Sequence, residues 1–396
     1  MSGTGMCPER LGAVDRLLSG WVERGELPCV QALVMRHGEE AFSASYGMAD
    51  MEKGAPLRDN SIFRIFSMSK VFTSACMMQL HERGLFKMHD PLSKFIPEYK
   101  DVKVGTLTPL GDIEMVEPRR PIEIRDLFTM TSGIPYPGGN TVSDLVLREM
   151  DAQREADERA GRFWDTQRIV REFARAPLCF HPGEHWRYGF SIDVLGALVE
   201  VLSGMKLGEY MQRNIFEPLE LEDTGFWVSG EKAQRLVTMY EVDEAGRFTP
   251  VDDFAEQTQA PAFESGGGGL LSTARDVATF ARMLLGNGEL NGRRLLSRKS
   301  VELMRTNHLT PEQLVDYNWE TQRGYGYGLA VRVMMNPEKA GYGSVGEYAW
   351  DGMAGTWFSI DPSEDMVSVL MVQTNPGRHY RFVPLYAQAV YGSITD

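Results

Sequence analysis

A chain of 396 residues, 43% apolar and 24% charged, has enough material for one large or two ordinary globular units with a substantial core. Its formal net charge of -14, with no basic stripe, argues against nucleic acid or an anionic membrane as the main partner. Cys7, Cys29, Cys76 and Cys179 lie far apart, with no Cys-x-x-Cys pair and no histidine at zinc-ligand spacing, so reduced, mostly buried thiols and no metal site are expected.

In chain order, residues 1–26 lack a basic start followed by an apolar run. They read instead as an amphipathic helix with Leu11, Val14, Leu17, Leu18, Trp21 and Val22 on one side. No other stretch approaches the length of a membrane span, and a cytoplasmic location is expected. Residues 30–35 and 41–46 flank His37-Gly38-Glu39-Glu40, the pattern of strand, tight turn and strand. Helical patterns follow at 73–83, 124–130, 166–176, 192–202 and 207–215, with long loops at 91–121 and 136–144. A further segment, 228–263, has no readable path. Glu264-Ser265-Gly266-Gly267-Gly268-Gly269-Leu270 then returns the chain toward the first strands. No Lys-Ser/Thr follows these glycines as a phosphate loop requires, so they predict a turn or a close backbone approach. Residues 273–285 read as a helix opened by Thr273 and Asp276 in a capping pattern. Residues 357–361 and 366–372 form a second strand pair around Pro362-Ser363-Glu364-Asp365, with a last helix near 383–391.

Strands at both ends and helices between them predict an α+β fold with one antiparallel sheet built from the two ends. Residues 1–66 and 255–396 would form the α/β unit and 67–254 a mainly helical inserted domain, with the active site at their interface.

Chemistry is concentrated in three places. Ser67 and Lys70, in Phe66-Ser67-Met68-Ser69-Lys70-Val71, sit three apart where a loop enters a helix, so hydroxyl and amine share a helical face. An amine one turn away can take the serine proton if desolvation or nearby positive charge lowers its proton affinity, and a helix N-terminus adds amide dipoles. The competing reading is a helix cap followed by a solvated lysine. Ile62, Phe63, Ile65 and Phe66 before the pair, and Val71, Phe72, Ala75, Cys76, Met77, Met78 and Leu80 after it, make the helix buried, and a buried lysine is seldom accidental. In His185-Trp186-Arg187-Tyr188-Gly189-Phe190-Ser191, Tyr188 is a candidate proton acceptor for Ser67, with a cationic Lys70 stabilising its phenolate. A surface aromatic cluster at a helix start would give the same pattern. In Trp350-Asp351-Gly352-Met353-Ala354-Gly355, glycines before a strand let substrate approach the backbone, where an amide can face an oxyanion; a bend that only shapes the sheet would also use them.

Together these elements resemble the penicillin-recognising serine hydrolases, most closely the family VIII carboxylesterases, the esterase branch that is similar to class C β-lactamases. The likeness covers nearly the whole chain. Besides the three elements it includes Ile124-Arg125-Asp126-Leu127-Phe128-Thr129-Met130-Thr131-Ser132-Gly133-Ile134, Pro218-Leu219-Glu220-Leu221-Glu222-Asp223-Thr224-Gly225-Phe226 and Gly267-Gly268-Gly269-Leu270-Leu271-Ser272-Thr273-Ala274-Arg275-Asp276. The resemblance implies a β-lactamase/transpeptidase-like fold. It implies Ser67 as acylated nucleophile, Lys70 as the lysine that helps deprotonate it, and Tyr188 as base and then acid. Trp350-Asp351-Gly352 falls where β-lactamases carry Lys-Thr-Gly, so the amides of Ser67 and Met353 are the implied oxyanion hole, and Tyr136 an implied pocket wall.

Two departures bear on the substrate. Tyr188-Gly189-Phe190 stands where lactamases and transpeptidases usually have Tyr-x-Asn, and Trp350 replaces the lysine that would pair with a penicillin carboxylate. Both point to a small-molecule ester with a neutral, apolar acyl or alcohol group, hydrolysed without metal or cofactor. A β-lactamase or D-Ala-D-Ala peptidase is the rival, against which the expected lack of an export signal argues. The same machinery would also serve an acyltransferase. A catalytically silent binding or scaffold protein of this fold would predict decay of the Ser/Lys/Tyr set, and all three residues are present. Oligomeric state is open. Three look-alikes are set aside. Ser143-Asp144-Leu145 reads as a helix cap, Tyr342-Gly343-Ser344-Val345-Gly346 misses the nucleophile elbow at its first position, and Pro182-Gly183 breaks any helix that would align His181 with His185.

Overall fold

The computed structural model describes residues 3–107, 110, 112–138, 141–251 and 257–396. His37 and Gly38 both adopt positive φ, 53° and 78°, the two-residue turn whose twist matches that of flanking strands. They join β1 (Cys29–Arg36) to β2 (Glu39–Asp50), which continues into the short β3 (Ala55–Pro56). The C-terminal part supplies β4 (Tyr325–Tyr327), β5 (Arg332–Met334), β6 (Tyr348–Ala349), β7 (Trp357–Asp361) and β8 (Met366–Met371). These eight strands form one antiparallel sheet in the order β4-β5-β6-β7-β8-β1-β2-β3. The two ends of the chain meet at its centre, where Leu33 pairs with Val369.

The helices that build the core are α1 (Pro8–Glu23), α2 (Ser69–Glu82), α3 (Ser143–Arg159), α4 (Thr166–Phe173), α5 (Ser191–Ser203), α6 (Ala274–Leu285) and α7 (His379–Tyr391). Successive β1 side chains point to opposite faces. Val30, Ala32 and Val34 pack with Leu11, Val14 and Leu18 of α1 and Tyr386 of α7, whereas Cys29 and Leu33 join the larger core with α2, α5 and α6. Burial on both faces explains why β1 reads as a nearly continuous apolar run. In α2 every residue from Ser69 to Leu80 is buried, as expected of a helix that is apolar on all sides. Phe72 of α2 stacks on Phe280 of α6 at 3.8 Å and meets Phe216 edge-on at 6.2 Å.

The two strand pairs and the last helix lie where the sequence placed them, and Thr273 caps α6 by accepting the Asp276 N–H. Elsewhere the structure adds order. The stretch expected as a loop over 91–121 contains the hairpin Val104–Leu107 with Ile113–Val116, and residues 108, 109 and 111 of that expectation lie outside the described residues. Residues 139–140 of the 136–144 loop, 252–256 of the 228–263 segment and 1–2 of the N-terminal reading also lie outside them. Within 228–263 the structure forms Tyr240–Val242 paired with Phe248–Pro250. Ser143 does not cap a helix. It begins α3 and its hydroxyl donates to the Pro177 carbonyl, while Asp144 takes the Thr141 N–H at 2.9 Å. Among the described residues no helix is long and apolar enough to cross a membrane.

Truncating Phe72 removes a ring held between two others in a buried helix. Phe72→Ala is therefore expected to cost about 3–5 kcal/mol, read as a lower denaturant midpoint with an unchanged slope.

Candidate active site

A short pairing of Phe63–Arg64 with Leu271–Ser272 carries the chain to the start of α2. Ile65 N–H continues it onto the Leu270 carbonyl at 3.1 Å. Phe66 then turns into the left-handed region, φ 43°, an unfavourable conformation for a bulky side chain. It opens the 3-10 turn Phe66–Met68 that runs into α2 and places Ser67 at the junction. Ser69 holds this strained turn: its hydroxyl donates to the Phe66 carbonyl at 2.6 Å and accepts the Leu270 N–H at 3.1 Å.

Lys70 is fully buried, so each of its ammonium hydrogens needs an acceptor inside the protein. Three lie within reach: Ser67 Oγ at 3.0 Å, Tyr136 Oη at 3.3 Å and the Gly267 carbonyl at 2.6 Å. Lys70 approaches Tyr188 by the ring face. Its Nζ lies over the Tyr188 ring, 4.6 Å from the centroid, while the Tyr188 oxygen accepts the indole N–H of Trp350 at 3.0 Å. Trp350 therefore supplies a neutral donor to the tyrosine.

Rings close the site on two sides. Tyr188 stacks on Trp350 at 5.6 Å and meets Tyr136 and Trp319 edge-on at 5.4 Å and 5.2 Å. Phe190 lies between Phe173 of α4, stacked at 4.2 Å, and Tyr136, edge-on at 4.5 Å, so it braces the tyrosine that touches Lys70. A Cβ at Gly189 would collide with the Ile134 carbonyl; glycine there allows the Tyr136 segment to pass directly beside Tyr188. Burial, followed by the charge of Asp193, pushes the Tyr136 phenol well above the ordinary tyrosine range. Tyr136 thus remains protonated at neutral pH.

The third motif is fixed by an ion pair. Asp351 binds the guanidinium of buried Arg332 on β5, which also meets Glu347 at 3.4 Å and donates to the Phe358 carbonyl at 2.8 Å. Burial opposes that charge, yet the two carboxylates hold the Arg332 guanidinium well above its ordinary value. Gly352 lies against the backbone that leads into Ser67, since a Cβ there would collide with the Ile65 carbonyl. Met353 follows at the surface, 47% exposed. Among the described residues the backbone amides of Ser67 and Met353 donate to no carbonyl outside their own turns.

Ser67, Lys70, Tyr136, Tyr188 and Trp350 are thus linked by direct hydrogen bonds or ring contacts, Phe190 supports Tyr136, and Gly352 approaches the chain before Ser67. Sequence reasoning missed four participants: Ser69, the Gly267 carbonyl, Trp319 and Asp193. Asp193 had a readable signal as a carboxylate inside the apolar run Ile192-Asp193-Val194-Leu195. Away from the site, His185 pairs with Asp316 at 3.0 Å.

A serine hydrogen-bonded to a buried lysine at a helix start, beside an antiparallel sheet whose strand β6 runs into a Trp-Asp-Gly turn, defines a serine hydrolase of the penicillin-recognising class. Residues 14–392 match the family described as Beta-lactamase, and the chain belongs to it. Protein Rv1367c of Mycobacterium tuberculosis (strain ATCC 25618 / H37Rv) is 36% identical over 341 residues, spanning 83% of this chain and 82% of the relative. Esterase EstB of Burkholderia gladioli is 27% identical over 87% of this chain and 85% of its own. The solved structure titled "EstCE1, a hydrolase with promiscuous acyltransferase activity" superposes with a TM-score of 0.79 at 25% identity, covering 97% of this chain and 99% of that one. Within the family, these likenesses mark the chain as family VIII carboxylesterase-like.

A fluorophosphonate is expected to add one phosphonyl group to the protein, at Ser67, and none to Ser67→Ala. Intact mass followed by peptide mapping checks this, and an adduct at another residue would refute the nucleophile assignment.

Proposed function

We propose that the protein is a serine carboxylesterase that cleaves small, largely apolar carboxylic esters through an acyl-enzyme on Ser67. The observation that carries the reading is the 3.0 Å hydrogen bond between Lys70 Nζ and Ser67 Oγ in a site closed to water at the lysine. In the proposed sequence, Ser67 Oγ attacks the ester carbonyl while its one proton passes to Lys70 in its amine form, and Tyr188 relays it toward the leaving group. The amides of Ser67 and Met353 hold the oxyanion, and the proton returns to the departing alcohol as the acyl–oxygen bond breaks. Water then attacks the acyl-enzyme in the same way, releasing the acid and restoring Ser67. Protein groups handle every proton in this scheme.

The ester preference is supported by Trp350 and Phe190. The indole N–H is already committed to Tyr188, and an indole offers no ion pair to a substrate carboxylate. The likeness to EstB, an esterase, and to EstCE1, a hydrolase, supports the same chemistry. Transfer to a second alcohol in place of water is the companion reading, favoured by the promiscuous acyltransferase activity of EstCE1. We place the enzyme in the cytoplasm, acting on a small molecule with no nucleic acid or membrane partner. Four unpaired cysteines, two of them buried, suit a reducing compartment.

A paired assay separates esterase from β-lactamase. A short-chain p-nitrophenyl ester is expected to be turned over, with the activity abolished in Ser67→Ala. Fast cephalosporin hydrolysis with little ester turnover would overturn the proposal. Trp350→Phe keeps the ring and removes the N–H from the Tyr188 oxygen. It is expected to lower kcat roughly ten- to hundredfold, the loss associated with one hydrogen bond to a charge-bearing group, with little change in KM.

A further inference from the structure

Ser69, Lys70 and Thr73 present three buried polar groups along the first turns of α2, and the glycine run at 264–270 answers each of them. Leu270 N–H donates to Ser69 Oγ at 3.1 Å, the Gly267 carbonyl accepts from Lys70 Nζ at 2.6 Å, and the Gly266 carbonyl accepts from Thr73 Oγ1 at 2.8 Å. The run is therefore a strap that carries the acceptor for the lysine. One carboxylate anchors it from the far side. Asp193, 2% exposed on α5, accepts the Ser265 hydroxyl at 2.5 Å and the Gly267 N–H at 3.0 Å, both through Oδ1. A Cβ at Gly267 would lie 2.5 Å from Asp193 Oδ2, so only glycine allows strap and carboxylate to touch.

We propose that Asp193 is a positioning residue: its carboxylate holds the Gly267 carbonyl on Lys70 and supplies the buried negative charge against which Lys70 exchanges its proton with Ser67. The proposal rests on the reading of Ser67 and Lys70 given above. A buried ammonium needs a compensating charge, but a direct ion pair would fix the proton on the lysine. Among the described residues Lys70 forms no ion pair. The groups around it are Ser67 from its own turn, Tyr136 from the segment before α3, Tyr188 from the segment before α5, Gly267 from the strap and, behind the strap on the Gly267 N–H, Asp193 from α5. Asp193 is the one carboxylate among them. Set one loop away, it reaches Lys70 through Gly267 and not by an ion pair. Burial raises the Asp193 carboxyl above the ordinary range, while the charge of Lys70 and the hydrogen bonds from Ser265 and Gly267 oppose that rise.

The test is the pH profile of ester hydrolysis by Asp193→Asn, which keeps an acceptor oxygen and removes the charge. The ammonium form of Lys70 then loses its compensation, so the acidic limb of kcat/KM is expected to move to lower pH by about one unit. At neutral pH kcat is expected to fall about tenfold or more with KM within about twofold of the parent. A parent-like kcat with an unmoved limb overturns the proposal. Should Asp193→Asn fail to unfold cooperatively, Ser265→Ala carries the same test by removing one hydrogen bond from the carboxylate. It is expected to shift the limb the same way by a smaller amount and to lower kcat about threefold, and no change in either overturns the proposal. Parent protein that neither takes the phosphonate nor hydrolyses ester refutes the esterase reading itself; a labelled, active parent with unmoved variants refutes only the role of Asp193.

Discussion

The structure depends on how a lysine with no access to water is satisfied. Lys70 brings three donors into a core helix, and leaving any of them unpaired there would cost more than most single packing contacts return. Its acceptors come from three separate parts of the chain: the turn that carries Ser67, the segment of Tyr136, and the glycine strap at Gly267. One side chain thus requires two distant segments to meet at its own turn. The strained φ at Phe66 is tolerated in that setting, because Ser69 ties the same turn to the strap at Leu270.

A second constraint sets the other wall. Arg332 is buried with a charge that must be matched, and it takes Asp351 and Glu347 together with the Phe358 carbonyl. That demand fixes the turn at Asp351 and so aims Trp350 next to it at Tyr188. Removing either carboxylate would leave part of a buried positive charge uncompensated, so the aromatic contact at the site depends on an ion pair that touches no substrate.

Much of this was legible in the chain. Ser67 and Lys70 are visible from spacing and their apolar flanks, and Tyr188 and Trp350 from motifs in family order. The first hairpin follows from His37-Gly38 between two apolar runs, and β7 and β8 from a second run-turn-run. Strands β4, β5 and β6 are two or three residues long, too short to display a period, and α3 carries so many charges that its buried stripe is thin. The contacts of Lys70 were not readable for a different reason. Sequence order shows that Lys70 and Tyr188 converge but not whether the ammonium meets the ring face or the oxygen, because that depends on where the strap delivers the Gly267 carbonyl. Asp193 was missed because its partner is a loop, and only the fold shows that Ser265 and Gly267 lie beside it.

The exchange of a cation for an indole at Trp350 bears on more than substrate charge. A second ammonium beside Lys70 would raise the field on Tyr188 and at the same time attract a carboxylate into the cleft. A neutral N–H on the Tyr188 oxygen gives a smaller share of the first effect and none of the second. Once Lys70 holds the Ser67 proton, its positive charge lies over the ring of Tyr188, whose quadrupole faces it. Any negative charge that develops on the Tyr188 oxygen is met by the indole on one side and reaches Lys70 only through the ring. In the proposed scheme the tyrosine therefore works with weaker electrostatic support than two flanking ammoniums would give, which suits an ester with a good alcohol leaving group better than an amide. Substrate charge and leaving-group reactivity are thus set by one substitution, and both favour a neutral ester.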